Sequence, residues 1–555
     1  MENKKTKIIS IVAIVAFLLV VITATYAYFQ AQTGASKSTD INVTTYTTDV
    51  FTFTTGNDIS IYADQSTFAS GKGNQTGSTY ASALLTANNK TNTATEHYYL
   101  YLNIENNTFT YSINENTPEI IMTITDGTGT EVTDITTLTH TSVTDASGAT
   151  ITGYDITNKN GLITLLNNRE ITTTSSKQER WNITITFVNY DASQNANSGK
   201  TMNAKVMIQK EQIKAYISDV CSSNDNLANC LTTLGNNGDL KFTNLYHHDG
   251  TLEYGINDGS YRYSGASENV NNFVCFGSSE SSCPTDNLYR IIGVFGNQVK
   301  LIKYDYANSN LLGTDGGYKS ATTPSPSYYK GNMTSVDTYL WKATGVNTWS
   351  QAVLNLTNLN TNFITNIGTE WAQKIATATW KVGGNTEENI RAVIPATAYQ
   401  NEIVNPDPTD SRDNATEYTA KVGLMYVSDY EFASIQGAWN IEGEHFNKET
   451  VNWMYMGVNE WTITRKSQSE YTSFMIYDSG PASPRNAFVN FGIRPSFYLT
   501  SSITYKSGTG TESDPIVINW LMDSFEKTSV KPKKKEVKSS TSVERFIFFF
   551  DMLCC

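Results

Sequence analysis

The chain has few of the side chains that usually carry metal or acid–base chemistry. Its 555 residues include six cysteines and five histidines, and no two cysteines are spaced as in a CxxC zinc motif. The formal net charge is −13, so the chain as a whole lacks the positive charge that a phosphate backbone requires. The sequence therefore predicts no nucleic-acid partner, no metal and no cofactor, and it offers no catalytic residue.

Apolar residues are also scarce for a globular enzyme, at 39% of the chain. Thr, Ser, Asn, Gly and Tyr take their place, a mixture typical of β-rich extracellular modules in which strand formers alternate with turn formers. Aromatic residues make up 12% of the chain, which argues against disorder because they are large groups to bury. The length allows about two to four domains, each with its own core.

One long apolar run is present, at the amino terminus. Lys4, Lys5 and Lys7 precede an uncharged stretch at 8–22, and the letters TATYAYF follow at 23–29. A basic start and an apolar run are the two parts of an export signal. Residues 1–30 are therefore predicted to be a signal peptide or a transmembrane anchor that contacts the membrane through 8–29. Cleavage after Ala27 and a retained span of about 22 residues both fit the pattern.

The TYAYF letters, with the basic and apolar residues before them, resemble the leaders of camelysin-like and biofilm-fibre proteins of Gram-positive bacteria. The resemblance is confined to the leader. It implies that a dedicated signal peptidase cuts near the motif, and it adds to the expectation that the rest of the chain is extracellular.

Residues 36–210 alternate apolar and polar side chains with a period of two. Examples of the apolar set are Leu100, Leu102 and Ile104, and further along Trp181, Ile183, Ile185 and Phe187. Strict alternation places one set of side chains in a core and the other in water. Many short strands separated by turn clusters predict an all-β sandwich that is jelly-roll-like. One stretch, 81–91, favours a helix.

Two pairs of cysteines lie close together in the sequence. Cys221 and Cys230 fall in 211–240, which is expected to be a linker with a short helix, and Cys275 and Cys283 fall in the module that follows. In an exported protein these pairs would form disulfides across short loops. Reduced, buried thiols are the alternative that the spacing leaves open.

Residues 241–519 mix helix and strand patterns, which predicts an α+β module. Seven of the nine tryptophans lie between Trp341 and Trp461. The expected elements are a hairpin over 289–303 that turns at Gly296-Asn297, an amphipathic helix over 356–367, and a strand over 421–427 that leads into a capping box at Ser428.

The segments YRYSGA, GLMYVSDYE, EWTITR and GIRPSFYL resemble a domain of uncharacterised function that is repeated in surface proteins of gut Firmicutes. That domain is similar in pattern to formylglycine-generating-enzyme and C-type-lectin-like folds. The resemblance implies a C-type-lectin-like module and favours a bond between Cys275 and Cys283. The enzyme branch of that superfamily uses a late pair of cysteines, whereas both cysteines here precede the first strong hairpin, so catalysis is not implied.

Three tryptophans are candidates for ligand contact. Flat aromatic faces bind sugars and peptides, and Trp439, Trp453 and Trp461 lie among Gly and Asn residues. Core packing is the ordinary role of such large side chains, and it is the alternative for each of the three.

Residues 520–555 are predicted to be a disordered basic tail. They contain the letters KPKKK at 531–535 and end in Cys554-Cys555, and their apolar run near 546–550 is too short to span a bilayer.

These patterns together predict a bacterial cell-surface protein that displays a lectin-like module on a β-sandwich stalk and binds a glycan or protein ligand without catalysis. A structural subunit of an extracellular matrix or fibre is the second interpretation. An enzyme that acts on cell wall or glycan is the third.

Overall fold

The computed structural model describes residues 49–63, 73–88, 92–135, 137–344, 347–385, 394–406, 416–440, 449–467 and 469–520. The predicted leader at 1–30 lies outside the described residues, and so does the predicted tail after Trp520. Within the described ranges, no helix is long and apolar enough to cross a membrane. Strands predominate over helices throughout.

The amino-terminal part is built from ten strands in two antiparallel sheets. The strands are β1 (Val50–Thr55), β2 (Ile59–Tyr62), β3 (Gln75–Thr86), β4 (Ala94–Asn107), β5 (Ile120–Asp126), β6 (His140–Thr144), β7 (Thr150–Asp155), β8 (Gly161–Thr173), β9 (Ser176–Phe187) and β10 (Thr201–Gln209). One sheet has the order β1-β3-β9-β5-β7-β6 and the other β2-β10-β4-β8. Side chains from both sheets form one hydrophobic core, so the arrangement is consistent with the predicted sandwich.

The period-two alternation corresponds to strands with one buried face. Leu100, Leu102 and Ile104 on β4 are all buried, and so are Trp181 and Ile183 on β9. Their polar neighbours on β9, Asn182 and Thr184, are partly exposed.

The helix expected at 81–91 is not formed over 81–88, because β3 continues to Thr86, and 89–91 lie outside the described residues. Ala81, Ala83 and Leu85 are fully buried, and β3 is paired with β1 on one side and with β9 on the other. Hydrogen bonding to two neighbouring strands outweighs the local helix preference of Ala and Leu.

The segment between the two parts contains α1 (Leu227–Asn237) and α2 (Leu240–Thr243). Asn226 caps α1 by accepting a hydrogen bond from the backbone N–H of Asn229 at 3.1 Å. Leu227, Leu231 and Leu234 of α1 are buried in the core of the carboxy-terminal part. The short helix expected within 211–240 is therefore packed against the following module.

The described residues of the carboxy-terminal part form eighteen strands in several sheets. They are β11 (Leu245–Asp249), β12 (Asn257–Tyr263), β13 (Phe273–Cys275), β14 (Leu288–Phe295), β15 (Gln298–Lys303), β16 (Tyr318–Thr322), β17 (Val336–Leu340), β18 (Ala378–Lys381), β19 (Gly384–Asn385), β20 (Glu417–Ala420), β21 (Val422–Gly423), β22 (Glu460–Lys466), β23 (Thr472–Ile476), β24 (Ala482–Asn486), β25 (Asn490–Phe491), β26 (Ser496–Tyr498), β27 (Ile503–Ser507) and β28 (Val517–Trp520). The largest sheet has the order β11-β12-β14-β15-β26-β21, with β13 also paired to β14.

Short helices pack around these sheets. They are α3 (Ser309–Leu312), a π-helix (Leu354–Phe363) that continues into α4 (Ile364–Asn366), α5 (Thr369–Lys374), α6 (Pro395–Tyr399), a second π-helix (Gln400–Val404) and α7 (Val427–Phe432). Single 3₁₀ turns occur at Asn195–Asn197, Ile217–Asp219, Thr285–Asn287, Trp349–Gln351 and Gln436–Ala438.

Two of the three elements expected in this part are present. The β14–β15 hairpin turns at Gly296-Asn297, where Gly296 has a φ of +62°, and the helix expected over 356–367 is the π-helix with α4. The predicted capping box at Ser428 is wrong. Helix α7 begins at Val427, and its cap is Tyr426, two residues before Ser428. The Asp429 carboxylate accepts the Tyr426 N–H at 3.0 Å.

Candidate functional site

Both predicted disulfides are formed. Cys221 is bonded to Cys230 and Cys275 to Cys283, with Cα atoms 5.4 and 5.7 Å apart. Among the described residues, Cys221, Asp225 and Cys230 are the one group of candidate metal ligands, but both sulfur atoms of that group are in the disulfide and neither is a free thiolate.

The three tryptophans proposed for ligand contact are in the core. Trp439, Trp453 and Trp461 are 0%, 1% and 1% exposed. Each indole N–H donates to a backbone carbonyl, and the acceptors are Ser434 at 3.1 Å, Tyr263 at 2.9 Å and Tyr339 at 3.0 Å. A ring with no exposed face offers nothing for a ligand to stack on, so the ligand-contact interpretation of these three is wrong and the core-packing alternative applies.

A small charged pocket lies in the carboxy-terminal part, where β12, β15 and α7 meet. The Asp429 carboxylate binds the Lys300 ammonium at 2.6 Å and the Arg262 guanidinium at 3.4 Å, and Arg262 also binds Asp258 at 2.9 Å. Lys300 Nζ lies 4.6 Å from the ring centre of Tyr426, and other aromatic rings also surround it.

This pocket is a poor candidate for ligand binding. Its volume is about 60 Å³, which is room for a few water molecules rather than a sugar ring. Its charges are already paired with one another. Although burial alone would raise the pKa of Asp258, the neighbouring Arg262 guanidinium outweighs it and lowers that pKa to about 2. These ion pairs therefore connect β12, β15 and α7.

A much larger cleft lies in the amino-terminal part, along strand β8. Its volume is about 530 Å³. The described lining residues fall into three separate segments of the chain: Asp134, Ile135 and Thr137, then Thr164 to Glu170, and finally Gln212 with Asp219.

The β8 wall of the cleft is a sheet edge. Strand β8 is last in the order β2-β10-β4-β8, so it is paired with β4 on one side only. Its register with β4 shifts at Tyr98, close to Asn168, which has a φ of +51°. Asn tolerates this left-handed conformation better than most residues, and the Tyr99 hydroxyl donates to its Oδ1 at 3.3 Å. The irregularity leaves residues 167–170 exposed beside the free edge.

The cleft is acidic. Its lining contains three carboxylates, Asp134, Glu170 and Asp219, and one cation, Arg169. The Arg169 guanidinium donates two hydrogen bonds to Glu179, at 3.1 and 3.2 Å, and is neutralised by it. Burial alone would raise the pKa of Glu179, but hydrogen bonds from Arg169 and Tyr98 outweigh it and hold that pKa below its usual range.

Asp219 lines the cleft from the connecting segment. Its carboxylate accepts the backbone N–H groups of Ala215 and Tyr216, both at 2.9 Å. Burial raises its pKa despite these two bonds. Asp134 and Glu170 are exposed, so they are the carboxylates that a ligand in the cleft would meet first.

The chemistry of the cleft suits an extended polypeptide. A strand edge presents backbone N–H and C=O groups that lack a partner, and an extended peptide can satisfy them by adding a strand. None of the described residues that line the cleft is aromatic, which removes the stacking platform common in sugar sites. The sequence pattern missed this site. The paired Asn167-Asn168 was its one local indication, because it interrupts the alternation of β8.

Comparison with protein-family models, with curated proteins and with solved structures gives no match for this chain. The resemblances of the leader and of the carboxy-terminal segments therefore stay predictions.

Proposed function

We propose that this chain is a non-catalytic binding protein of the cell surface, and that it binds an extended polypeptide in the cleft along β8. The observation that carries the proposal is an acidic cleft of about 530 Å³ that opens on an unpaired strand edge. Clefts of about 300–1,000 Å³ are the usual size for ligand sites in proteins.

The extracellular location is supported by two features. Both cysteine pairs are bonded, and disulfides persist mainly in oxidising compartments. The basic and apolar residues at 1–30 have the composition of an export segment, which would contact the membrane through 8–29.

A protein ligand fits the cleft better than a glycan does. Trp439, Trp453 and Trp461 are buried, and the described cleft lining has acids, amides and hydroxyls without an aromatic face. Such a surface hydrogen-bonds a peptide backbone along its length, whereas sugar sites usually add ring stacking.

An enzyme acting on wall or glycan is less well supported. Such an enzyme needs an activated nucleophile or two carboxylates free to transfer protons. In the charged pocket, Asp258 and Asp429 are held by Arg262 and Lys300. The Arg262 guanidinium outweighs burial and lowers the pKa of Asp258 to about 2, so this carboxylate is a poor general acid.

The proposal also includes the finer fold assignment, a jelly-roll-like sandwich that carries a C-type-lectin-like module. The two sheets of the amino-terminal part and the mixed, disulfide-bonded carboxy-terminal part support it. An experimental structure compared with lectin-like folds would test it.

A structural subunit of a matrix or fibre is the second candidate, because an open strand edge is also a place where copies of one chain add to each other. In that case the assembled mass would rise with protein concentration. A monomer across the micromolar range, measured by light scattering, would count against it.

The binding proposal is tested with a panel of 12-residue peptides and a glycan array. Asn167 is exposed in the cleft wall, so Asn167→Trp fills the cleft without touching the core. Peptides that bind the wild-type protein should bind this variant at least about tenfold more weakly. Asn116→Trp is the matched control, since Asn116 is exposed in the same module and is not among the cleft residues.

Two results would overturn the proposal. One is a panel in which no peptide binds, either to the wild-type chain or to a chain in which Lys531, Lys533, Lys534 and Lys535 are changed to glutamate. The other is peptide binding that Asn167→Trp leaves unchanged, with hits on the glycan array instead. Cell fractionation with amino-terminal sequencing tests the location separately.

A further inference from the structure

The described part of the chain ends close to the cleft. Strand β28 ends at Trp520 and pairs with β27, where Tyr505 is opposite Ile518. The backbone N–H of Asn224 donates to the carbonyl of Tyr505 at 2.7 Å. Asn224 is five residues after Asp219, which lines the cleft, so a short piece of chain connects the β27–β28 pair to a cleft residue.

The residues that follow Trp520 are long enough to span the cleft wall. At about 3.3 Å per residue, the seven residues from Trp520 to Lys527 extend up to about 23 Å, and residues 527–538 extend up to about 36 Å. The cleft wall at 164–170 is about 20 Å long by the same measure, which is the length of a short added strand.

Residues 527–538 and the cleft carry opposite charges. Positions 527–538 contain six lysines (Lys527, Lys531, Lys533, Lys534, Lys535 and Lys538) against one acid, Glu536. The cleft presents Asp134, Glu170 and Asp219, while its one cation, Arg169, is held by Glu179. A lysine-rich peptide would therefore be attracted to the cleft, and more strongly at low salt.

The composition of residues 527–538 also suits an edge strand. An open strand edge invites aggregation, and natural sheets protect their edges with lysines and with proline. Pro532 lacks a backbone N–H, so it fits a strand whose outer side is unpaired. A strand with several lysines and a proline can pair with β8 on one side and resist further pairing on the other.

We propose that the cleft along β8 binds residues 527–538 of this same chain as an added strand, with the lysines facing Asp134, Glu170 and Asp219. The proposal rests on the proposed function, since it names an occupant of the same cleft. Because the segment is tethered near the cleft, its effective concentration there is high, and an outside peptide has to displace it.

The first measurement is hydrogen exchange on the full chain. The charge-reversed variant carries Lys531→Glu, Lys533→Glu, Lys534→Glu and Lys535→Glu. Peptides covering 161–170 should exchange about tenfold or more faster in this variant than in the wild type, because the free-edge amides of β8 lose their partner. Sodium chloride at 0.5 M should raise exchange in the wild type and change the variant little.

The second measurement uses a fluorescent synthetic peptide of residues 527–538. It should bind the charge-reversed chain in anisotropy titrations, and bind the wild-type chain at least about tenfold more weakly, because the tethered segment competes. Adding Asp134→Lys and Glu170→Lys to the charge-reversed chain should abolish binding. Glu115→Lys with Asp191→Lys is the matched control, since both acids are exposed in the same module and neither is among the cleft residues.

The outcomes separate the two proposals. If other peptides of the panel bind the charge-reversed chain and Asn167→Trp weakens them, while the 527–538 peptide does not bind, this inference is overturned and the proposed function stands. If no peptide binds the charge-reversed chain, both fail. Equal exchange of 161–170 in the wild type and the variant also overturns the inference.

Discussion

At the scale of single residues, Glu402 is a carboxyl group whose protonation matters for stability. It is 2% exposed, and it accepts the Ser428 N–H at 3.0 Å and the Thr464 hydroxyl at 2.6 Å. Burial raises its pKa to about 7, and the nearby Asp429 charge adds to the increase. The folded protein therefore holds a proton on Glu402 at pH values where an unfolded glutamate has lost it.

The sign of the pH effect follows from that difference. The stabilisation from protonated Glu402 is complete below about pH 4.5, and it is lost as the pH rises through about 7. Relative to Glu402→Gln, the wild type should lose on the order of 3 kcal/mol of unfolding free energy across that window. Urea unfolding of both proteins from pH 4.5 to pH 7.5 measures it.

The difference in unfolding free energy between the wild type and Glu402→Gln isolates the contribution of Glu402 from that of other titrating groups. Burial lowers the pKa of His248 to about 3, which gives the opposite slope in both proteins and cancels in the comparison. Glu280→Gln is the control, since Glu280 is exposed and should leave the pH dependence unchanged. A flat difference between wild type and Glu402→Gln would contradict the prediction.

At the scale of elements, the disulfide between Cys275 and Cys283 anchors the loop between β13 and β14. Cys275 ends β13, and the loop returns to β14, which pairs with β13 directly. Closing a loop of this size restricts the unfolded chain more than the folded one, which is worth roughly 2–3 kcal/mol in the chain-entropy model.

Cys275→Ala with Cys283→Ala should therefore lower the unfolding free energy by about 2–3 kcal/mol. Urea denaturation without reductant measures the loss. Ser281→Ala, in the same loop at an exposed position, should change stability by less than about 0.5 kcal/mol. A double variant as stable as the wild type would show that the loop is held by its other contacts.

At the scale of the whole molecule, the two parts have separate cores that a small third cluster connects. That cluster contains Tyr101 and Leu162 from the sandwich, Ile213 and Ala215 from the connecting segment, and Phe242 from α2. The Tyr101 hydroxyl accepts the Ile213 N–H at 2.9 Å, and the Tyr216 hydroxyl donates to the Leu162 carbonyl at 3.0 Å. These contacts couple the sandwich to the module that follows it.

Phe242→Ala should weaken that coupling. Removing a buried phenylalanine lowers the unfolding free energy by about 3–5 kcal/mol. Because Phe242 belongs to the cluster that connects the two parts, its removal weakens the contacts between them. We expect calorimetry to resolve two unfolding transitions that lie further apart than in the wild type. Leu240→Ala is the control because Leu240, in the same helix, is 41% exposed. Identical thermograms for wild type and Phe242→Ala would mean that the cluster does not couple the parts.

The sequence by itself determined features that depend on near neighbours along the chain. The alternation at Leu100 and Trp181 predicted strands with a buried face, and the Gly296-Asn297 pair predicted a hairpin turn. The closely spaced cysteine pairs, in a chain with an export signal, favoured disulfides over reduced thiols, and both bonds are formed. Strand period, turn conformation and short loop closure are local properties.

Only the tertiary structure decided which strands lie at an edge and which aromatic rings are covered. The 81–91 stretch is a strand to Thr86 because β1 and β9 flank it, and Trp439 is buried because distant elements pack over it. The cleft is formed by three segments that are far apart in the sequence, beside β8, whose free side follows from the order of its sheet. Sheet order and packing depend on contacts between residues that are distant in the sequence, and a local periodic pattern does not specify those contacts.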